Sequence, residues 1–163
     1  QNAFIMTHLL QGVVQHGTGQ RAKVLGRPIA GKTGTSSDYS DAWFIGYTPS
    51  LLTGVWVGFD DKTSLGKNET GSRTALPIWI YFMDQALKNT PIETLKPPKG
   101  ITLIKVNIET GLPSDKDSPE TIMEAFIESS IPGEKEGREK ENPSSGAPLR
   151  GRSPGDPGAP SGY

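Results

Sequence analysis

Six residues, Ala30-Gly31-Lys32-Thr33-Gly34-Thr35, form the grouping in this sequence that reads as an active-site element. Side chains alternate along an extended chain, so the Thr33 and Thr35 hydroxyls fall on one side of a strand, within reach of a single bound group. Gly34 between them carries no side chain, and a ligand backbone can approach there. Lys32 adds a fixed positive charge. Together these residues suit an extended, carboxylate-bearing peptide laid along a sheet edge. A bare Lys-Ser/Thr-Gly triplet occurs by chance in about one chain in ten of this length at average residue usage. Its surroundings must therefore decide its meaning.

Other candidates for chemistry are weaker. The 163 residues include no cysteine, which excludes disulfide scaffolds, thiolate metal sites and cysteine nucleophiles. His8 falls on the polar side of a predicted helix and His16 at its end, without a second ligand at metal spacing, so neither a metal nor a cofactor is expected. Asp60-Asp61 ends a predicted strand and reads as a solvated turn rather than a general-base pair. Glu69 precedes a Thr-Gly turn and is expected to anchor its loop. Trp43, Trp56 and Trp79 stand at core spacing rather than as a sugar platform. Tyr39, in the turn after Thr35, suits a cleft rim and a plain turn equally. Ser64-Leu65-Gly66-Lys67 has the spacing of a serine–lysine nucleophile pair, but Gly66 in a polar loop denies it the helix that would align the two side chains.

The elements that must position the box can be read from periodicity. Residues 3–16 predict a helix with Asn2 as N-cap, Gly17 as its stop, and Ala3, Met6, Leu9, Leu10, Val13 and Val14 on one arc. Extended segments follow at 28–36, 42–48 and 51–59, the last two joined by a hairpin at Tyr47-Thr48-Pro49-Ser50. Trp43, Ile45 and Tyr47 on one face and Phe44 on the other make the middle strand apolar on both sides, which calls for helices above and below the sheet. A second helix is expected over 74–89, with Pro77 in its first turn and Pro91 ending it. Ile101–Ile108 alternates as a strand, Glu109-Thr110-Gly111 turns, and 121–129 is amphipathic or extended. From Gly133 to Tyr163 glycine, proline and serine dominate, and too little apolar surface remains to offset the ordering entropy, so a disordered tail is expected. The division is thus 1–95, a small strand unit at 96–132, and a tail at 133–163. Seventeen basic against eighteen acidic residues give a net charge of −1, which speaks against a nucleic-acid surface or a polybasic membrane patch. No apolar run approaches the roughly 20 residues that span a bilayer, so this segment is not expected to contact the membrane.

The stretch AGKTGTSSDYSDAWFIGYTPSLLTGVWVGFDD resembles the third box, K-T-G, and following hairpin of class A penicillin-binding proteins, the bifunctional wall-building enzymes. The resemblance continues upstream through LLQGVVQHGTGQRA and downstream through LGKNETGSRTALPIWIYFM, and extends loosely over 100–132. D-A-W-F-x-G-Y-T-P and A-L-P-I-W favour this class over monofunctional transpeptidases and β-lactamases.

This resemblance implies an α/β (α+β) three-layer sandwich, an antiparallel sheet between helices, of which only the C-terminal part is present. It implies a D,D-transpeptidase that cross-links peptidoglycan stem peptides through an acyl-serine intermediate and is acylated by β-lactams. Lys32 would set positive charge beside the serine of an S-x-N box and the substrate carboxylate. Thr33 and Thr35 would bind that carboxylate through their hydroxyls, Gly34 would admit the ligand, and the Thr35 backbone N–H would form half of the oxyanion hole. S-x-N is missing here and S-x-x-K occurs only at Ser64–Lys67, so the partner implied is an upstream part of the same protein carrying both boxes. The chain is then expected to be inactive alone. The implied location is the periplasmic face of the cytoplasmic membrane, with an N-terminal anchor outside this sequence. The rival reading is a non-catalytic β-lactam sensor or scaffold of the same fold, and a serine β-lactamase is a weaker third.

Overall fold

A computed structural model describes residues 1–133, so the predicted tail lies outside the described residues except for Gly133. Asn2–His16 form helix α1, followed by a 3₁₀ segment at Gln20–Leu25. Strands β1 (Ala30–Thr35), β2 (Asp41–Tyr47) and β3 (Leu52–Gly58) make an antiparallel sheet in that order. Helix α2 (Ala75–Ala86) closes over it. Strands β4 (Ile101–Asn107) and β5 (Thr121–Ile127) pair antiparallel as a separate two-stranded sheet. Of the alternatives left open for 121–129, the extended one is observed, ending in a 3₁₀ turn at Glu128–Ser130.

Register sorts the sheet into two faces. Thr33 pairs with Phe44 and Phe44 with Val55, so Gly31, Thr33, Thr35, Ala42, Phe44, Val55 and Val57 share one face. Helix α2 lies on it: Phe44 and Trp79 are both fully buried and meet edge-on with ring centroids 4.9 Å apart. The Trp79 indole N–H donates to the Thr53 carbonyl at 2.9 Å, which satisfies the one polar atom this ring brings into the core. Gly46 leaves room for both rings, since a Cβ there would stand 2.7 Å from Phe44 and 2.8 Å from Trp79. Replacing Trp79 with alanine should cost about 3–5 kcal/mol, as for other large aromatic truncations in a sealed core. Denaturant unfolding of the complete protein would measure it, and a loss under about 1 kcal/mol would mean the core collapses around the gap.

The opposite face carries Lys32, Trp43, Ile45, Tyr47, Leu52 and Trp56. Helix α1 meets it at the Tyr47 end, where the Thr7 and Tyr47 hydroxyls lie 2.9 Å apart. The sheet therefore has helical partners on both sides, as expected, but α1 covers only one end. Trp43, Ile45, Leu52 and Trp56 stay exposed, so of the three tryptophans only Trp79 is core among the described residues.

Helix α1 departs from the predicted arc. Thr7 and Val14 are its buried residues, while Ala3, Met6 and Leu9 are exposed. The cause is polar: Thr7 bonds the Ala3 carbonyl at 2.8 Å as well as Tyr47, so a threonine occupies the inward position with its hydroxyl satisfied. Asn2 is the first helical residue rather than the cap, and Gln1 supplies the carbonyl that accepts from Phe4 and Ile5. The start of α1 also touches the second sheet. His8 Nε2 lies 3.0 Å from the Met123 carbonyl and 3.3 Å from the Glu124 carboxylate, so this histidine faces β5 rather than open solvent. Helix α2 stops at Ala86, before Pro91, where Thr90 and Arg27 both donate to the Leu87 carbonyl.

Candidate active site

Strand β1 is an edge strand: among the described residues β2 pairs with it on one side and no strand pairs on the other. The phase of its hydrogen bonds follows from one contact. Ser36 N–H donates to the Asp41 carbonyl at 3.0 Å, and every β1–β2 pair continues that register. Antiparallel pairing alternates, so Lys32 and Gly34 direct their backbone groups at β2, while Thr33 and Thr35 turn theirs to the open edge. The Thr35 N–H thus points outward with no strand to receive it.

The side chains of the box meet at the same edge. Lys32 is exposed, and its ammonium donates to the outward Thr33 carbonyl at 2.9 Å and lies 3.5 Å from the Thr33 hydroxyl. One of three ammonium protons is engaged there. The Thr35 hydroxyl accepts the Gly71 N–H at 3.0 Å, which leaves its own proton for a further acceptor. The Thr33 hydroxyl lies 2.7 Å from that of Thr18 in the turn after α1. Ammonium, hydroxyl protons and an outward N–H all donate, which is what an anionic group requires of its partners. Gly34 packs with its hydrogen against Trp43, whose Cβ would stand 3.1 Å from an added Cβ, so a side chain there would press on β2.

Gly71 was not anticipated from sequence. A Cβ there would come within 2.2 Å of the Trp43 carbonyl oxygen and 2.5 Å of the Gly34 carbonyl oxygen. The loop preceding α2 is thereby seated flush on the box, with its N–H aimed at Thr35. Gly71→Ala should lift the loop, cost about 2–3 kcal/mol as overpacking against backbone does, and break the Thr35 contact. Thermal unfolding of the complete protein would test this, and an unchanged midpoint would remove Gly71 from its seat on the box.

The loop is fixed at other points. Ser64 lies in irregular chain, its hydroxyl donating to the Asp38 carbonyl at 2.8 Å, and Leu65 N–H donates to the Tyr39 carbonyl at 2.8 Å. No helical turn aligns Ser64 with Lys67. Tyr39 itself adopts a positive φ of 58° in the β1–β2 turn. The Ser36 hydroxyl, followed by Ser40, holds the neighbouring Asp38 carboxyl below its usual range, so it is ionised at neutral pH. Asp60 and Asp61 are exposed, and Asp61 accepts the Thr63 N–H at 3.0 Å, as a solvated turn should. Glu69 accepts the Thr74 hydroxyl at 2.7 Å and anchors the loop to the start of α2. A cleft of about 750 Å³ lies elsewhere, between α1, the 23–29 segment and β5, and no residue of the box lines it.

Residues 1–79 match the family described as penicillin binding protein transpeptidase domain. Over these residues the chain belongs to the penicillin-binding protein transpeptidase family. It is 44% identical over 133 residues to penicillin-binding protein 1A of Pseudomonas aeruginosa, covering 81% of this chain and 16% of that protein. Against penicillin-binding protein 1A of Aquifex aeolicus it is 50% identical over 99 residues, covering 61% of this chain and 14% of the relative. The crystal structure of penicillin-binding protein 1A from Haemophilus influenzae superposes with a TM-score of 0.72 at 34% identity, over 80% of this chain and 20% of that one. The chain therefore spans no more than 16% of the length of these two curated relatives. The fold is that of a penicillin-binding protein segment, an α/β arrangement of antiparallel sheet and helices.

Proposed function

We propose that this chain supplies the carboxylate-binding and oxyanion strand of a serine D,D-transpeptidase that cross-links peptidoglycan stem peptides. The observation that carries the reading is the convergence, at one open strand edge, of the Lys32 ammonium, the Thr33 and Thr35 hydroxyls and the outward Thr35 N–H. A stem peptide lies along that edge with its terminal D-alanine carboxylate against Lys32, Thr33 and Thr35. The attacking serine oxygen adds to the penultimate carbonyl, and the Thr35 N–H donates to the oxygen that becomes negative. Collapse expels D-alanine and leaves the acyl-serine; the amino group of a second stem peptide then attacks its ester carbonyl, forming the cross-linking amide and releasing the serine. A β-lactam enters the same way, its carboxylate in the same place, and stalls at the acyl-serine.

The serine and its base belong to the part of the protein that carries S-x-x-K and S-x-N; Ser64, tied to the Asp38 carbonyl in a loop, is not the nucleophile. Residues 1–95 complete the transpeptidase body and 96–132 are an appended strand unit. The working location is extracytoplasmic, where peptidoglycan is built. To test the reading, the complete protein is incubated with fluorescent penicillin and, separately, with a D-Ala-D-Ala-terminated peptide. Labelling on a serine outside this chain with D-alanine release supports it. Labelling without release would favour a sensor or scaffold, and no labelling would overturn penicillin binding.

A further inference from the structure

We infer that Thr18, in the Gly17-Thr18-Gly19 turn at the end of α1, is a positioning residue that makes Thr33 a committed donor to the bound carboxylate. The inference rests on the reading of the strand edge given above. Thr18 is exposed, so packing does not account for its side chain, and its hydroxyl lies 2.7 Å from the Thr33 hydroxyl.

Its backbone is held firmly. The N–H groups of Gly17 and Gly19 both donate to the Val13 carbonyl, at 3.0 and 3.1 Å. On the far side the Gly19 carbonyl accepts from Ala22, a fully buried residue, at 2.9 Å. Neither glycine has room for a side chain without a shift: a Cβ on Gly17 would stand 2.9 Å from the Val13 carbonyl oxygen, and one on Gly19 3.3 Å from the same atom. Two glycines and one shared carbonyl thus fold the helix end back so that Thr18 faces β1.

Proton counting gives that placement a direction. A hydroxyl has one proton, and an ionised carboxylate accepts only. When Thr33 donates to a carboxylate, the Thr18–Thr33 bond survives only if Thr18 is its donor. Thr18 then supplies the proton that Thr33 has given up, and the two bonds polarise each other in the same sense. Lys32 is a poorer substitute for this task, at 3.5 Å from the Thr33 hydroxyl and already engaged at the Thr33 carbonyl.

The test uses the complete protein and two ligands, benzylpenicillin and its methyl ester, which lacks the anionic carboxylate. Thr18→Val keeps the branched shape and removes the proton. It should lower the second-order acylation rate with benzylpenicillin about fivefold, the loss expected of one hydrogen bond, and change the rate with the ester less than about twofold. Thr18→Ser should restore the benzylpenicillin rate. Equal losses on both ligands would mean general damage to the turn and would overturn the inference. So would an unchanged rate with benzylpenicillin, or a serine variant as slow as the valine one. If the unsubstituted protein were acylated no faster by benzylpenicillin than by its ester, the carboxylate site itself would fall, and Thr18's role with it. The ester comparison in the unsubstituted protein therefore separates failure of the site from failure of Thr18.

Discussion

Lys32→Ala in the complete protein should, on the proposed function, slow penicillin acylation about a hundredfold or more, a loss comparable to removal of a preorganised donor from an acyl-transfer site. Stability should stay within about 0.5 kcal/mol, as for exposed substitutions away from special features. The two expectations separate because Lys32 is exposed and its hydrogen bonds run to Thr33, in the strand it already belongs to. Nothing in the core leans on it. On the proposed function the charge serves the ligand carboxylate and the reacting serine rather than the fold. Stopped-flow acylation and thermal unfolding of the same preparation would give both numbers. An unchanged acylation rate in a folded variant would take Lys32 out of the mechanism. Thr35→Ala should be milder, because the outward N–H survives and only the hydroxyl held by Gly71 is lost.

Much of this arrangement was legible because it depends on local chemistry. The extended segments, the hairpin expected at Tyr47–Ser50 and observed to close between Thr48 and Leu51, and the placing of Thr33 and Thr35 on one face all follow from period two and turn residues. The inward side of α1 did not follow from hydrophobicity. A scale ranks Met6 and Leu9 above Thr7, and no local signal announces that a tyrosine 40 residues later will satisfy the threonine. The same limit hid Thr18 and Gly71. Each acts through a contact with β1 that is distant in sequence, 15 residues from Thr33 in one case and 36 from Thr35 in the other. Gly17-Thr18-Gly19 and Thr70-Gly71 look like plain turns until the strand they brace is in place. Trp43 and Trp56 erred in the other direction. Their spacing is that of a core, yet they stand exposed with centroids 6.2 Å apart, because these residues contribute only one end of cover to that face.

That exposed face bears on the second large effect, which concerns the 163-residue chain expressed alone. It should form no stable covalent adduct with penicillin. Acylation needs a nucleophile held next to a base, and an oxyanion hole needs two donors. Of the outward N–H groups of β1 the proposed oxyanion hole uses that of Thr35 alone, its second donor being assigned to the nucleophile, and the one serine at nucleophile spacing, Ser64, spends its proton on the Asp38 carbonyl in a loop. Trp43, Ile45, Leu52 and Trp56 on the sheet, with Met6 and Leu9 on α1, leave apolar surface in water, so the isolated chain should also be prone to self-association. On the proposed function, co-expression with a segment carrying S-x-x-K and S-x-N should cover that face and restore labelling at a serine of the added segment. Mass spectrometry locates the adduct. Finding it on Ser64, or on any serine of this chain, would show that β1 and its surroundings acylate by a route that needs no second donor, and would overturn the assignment of the nucleophile to another part of the protein.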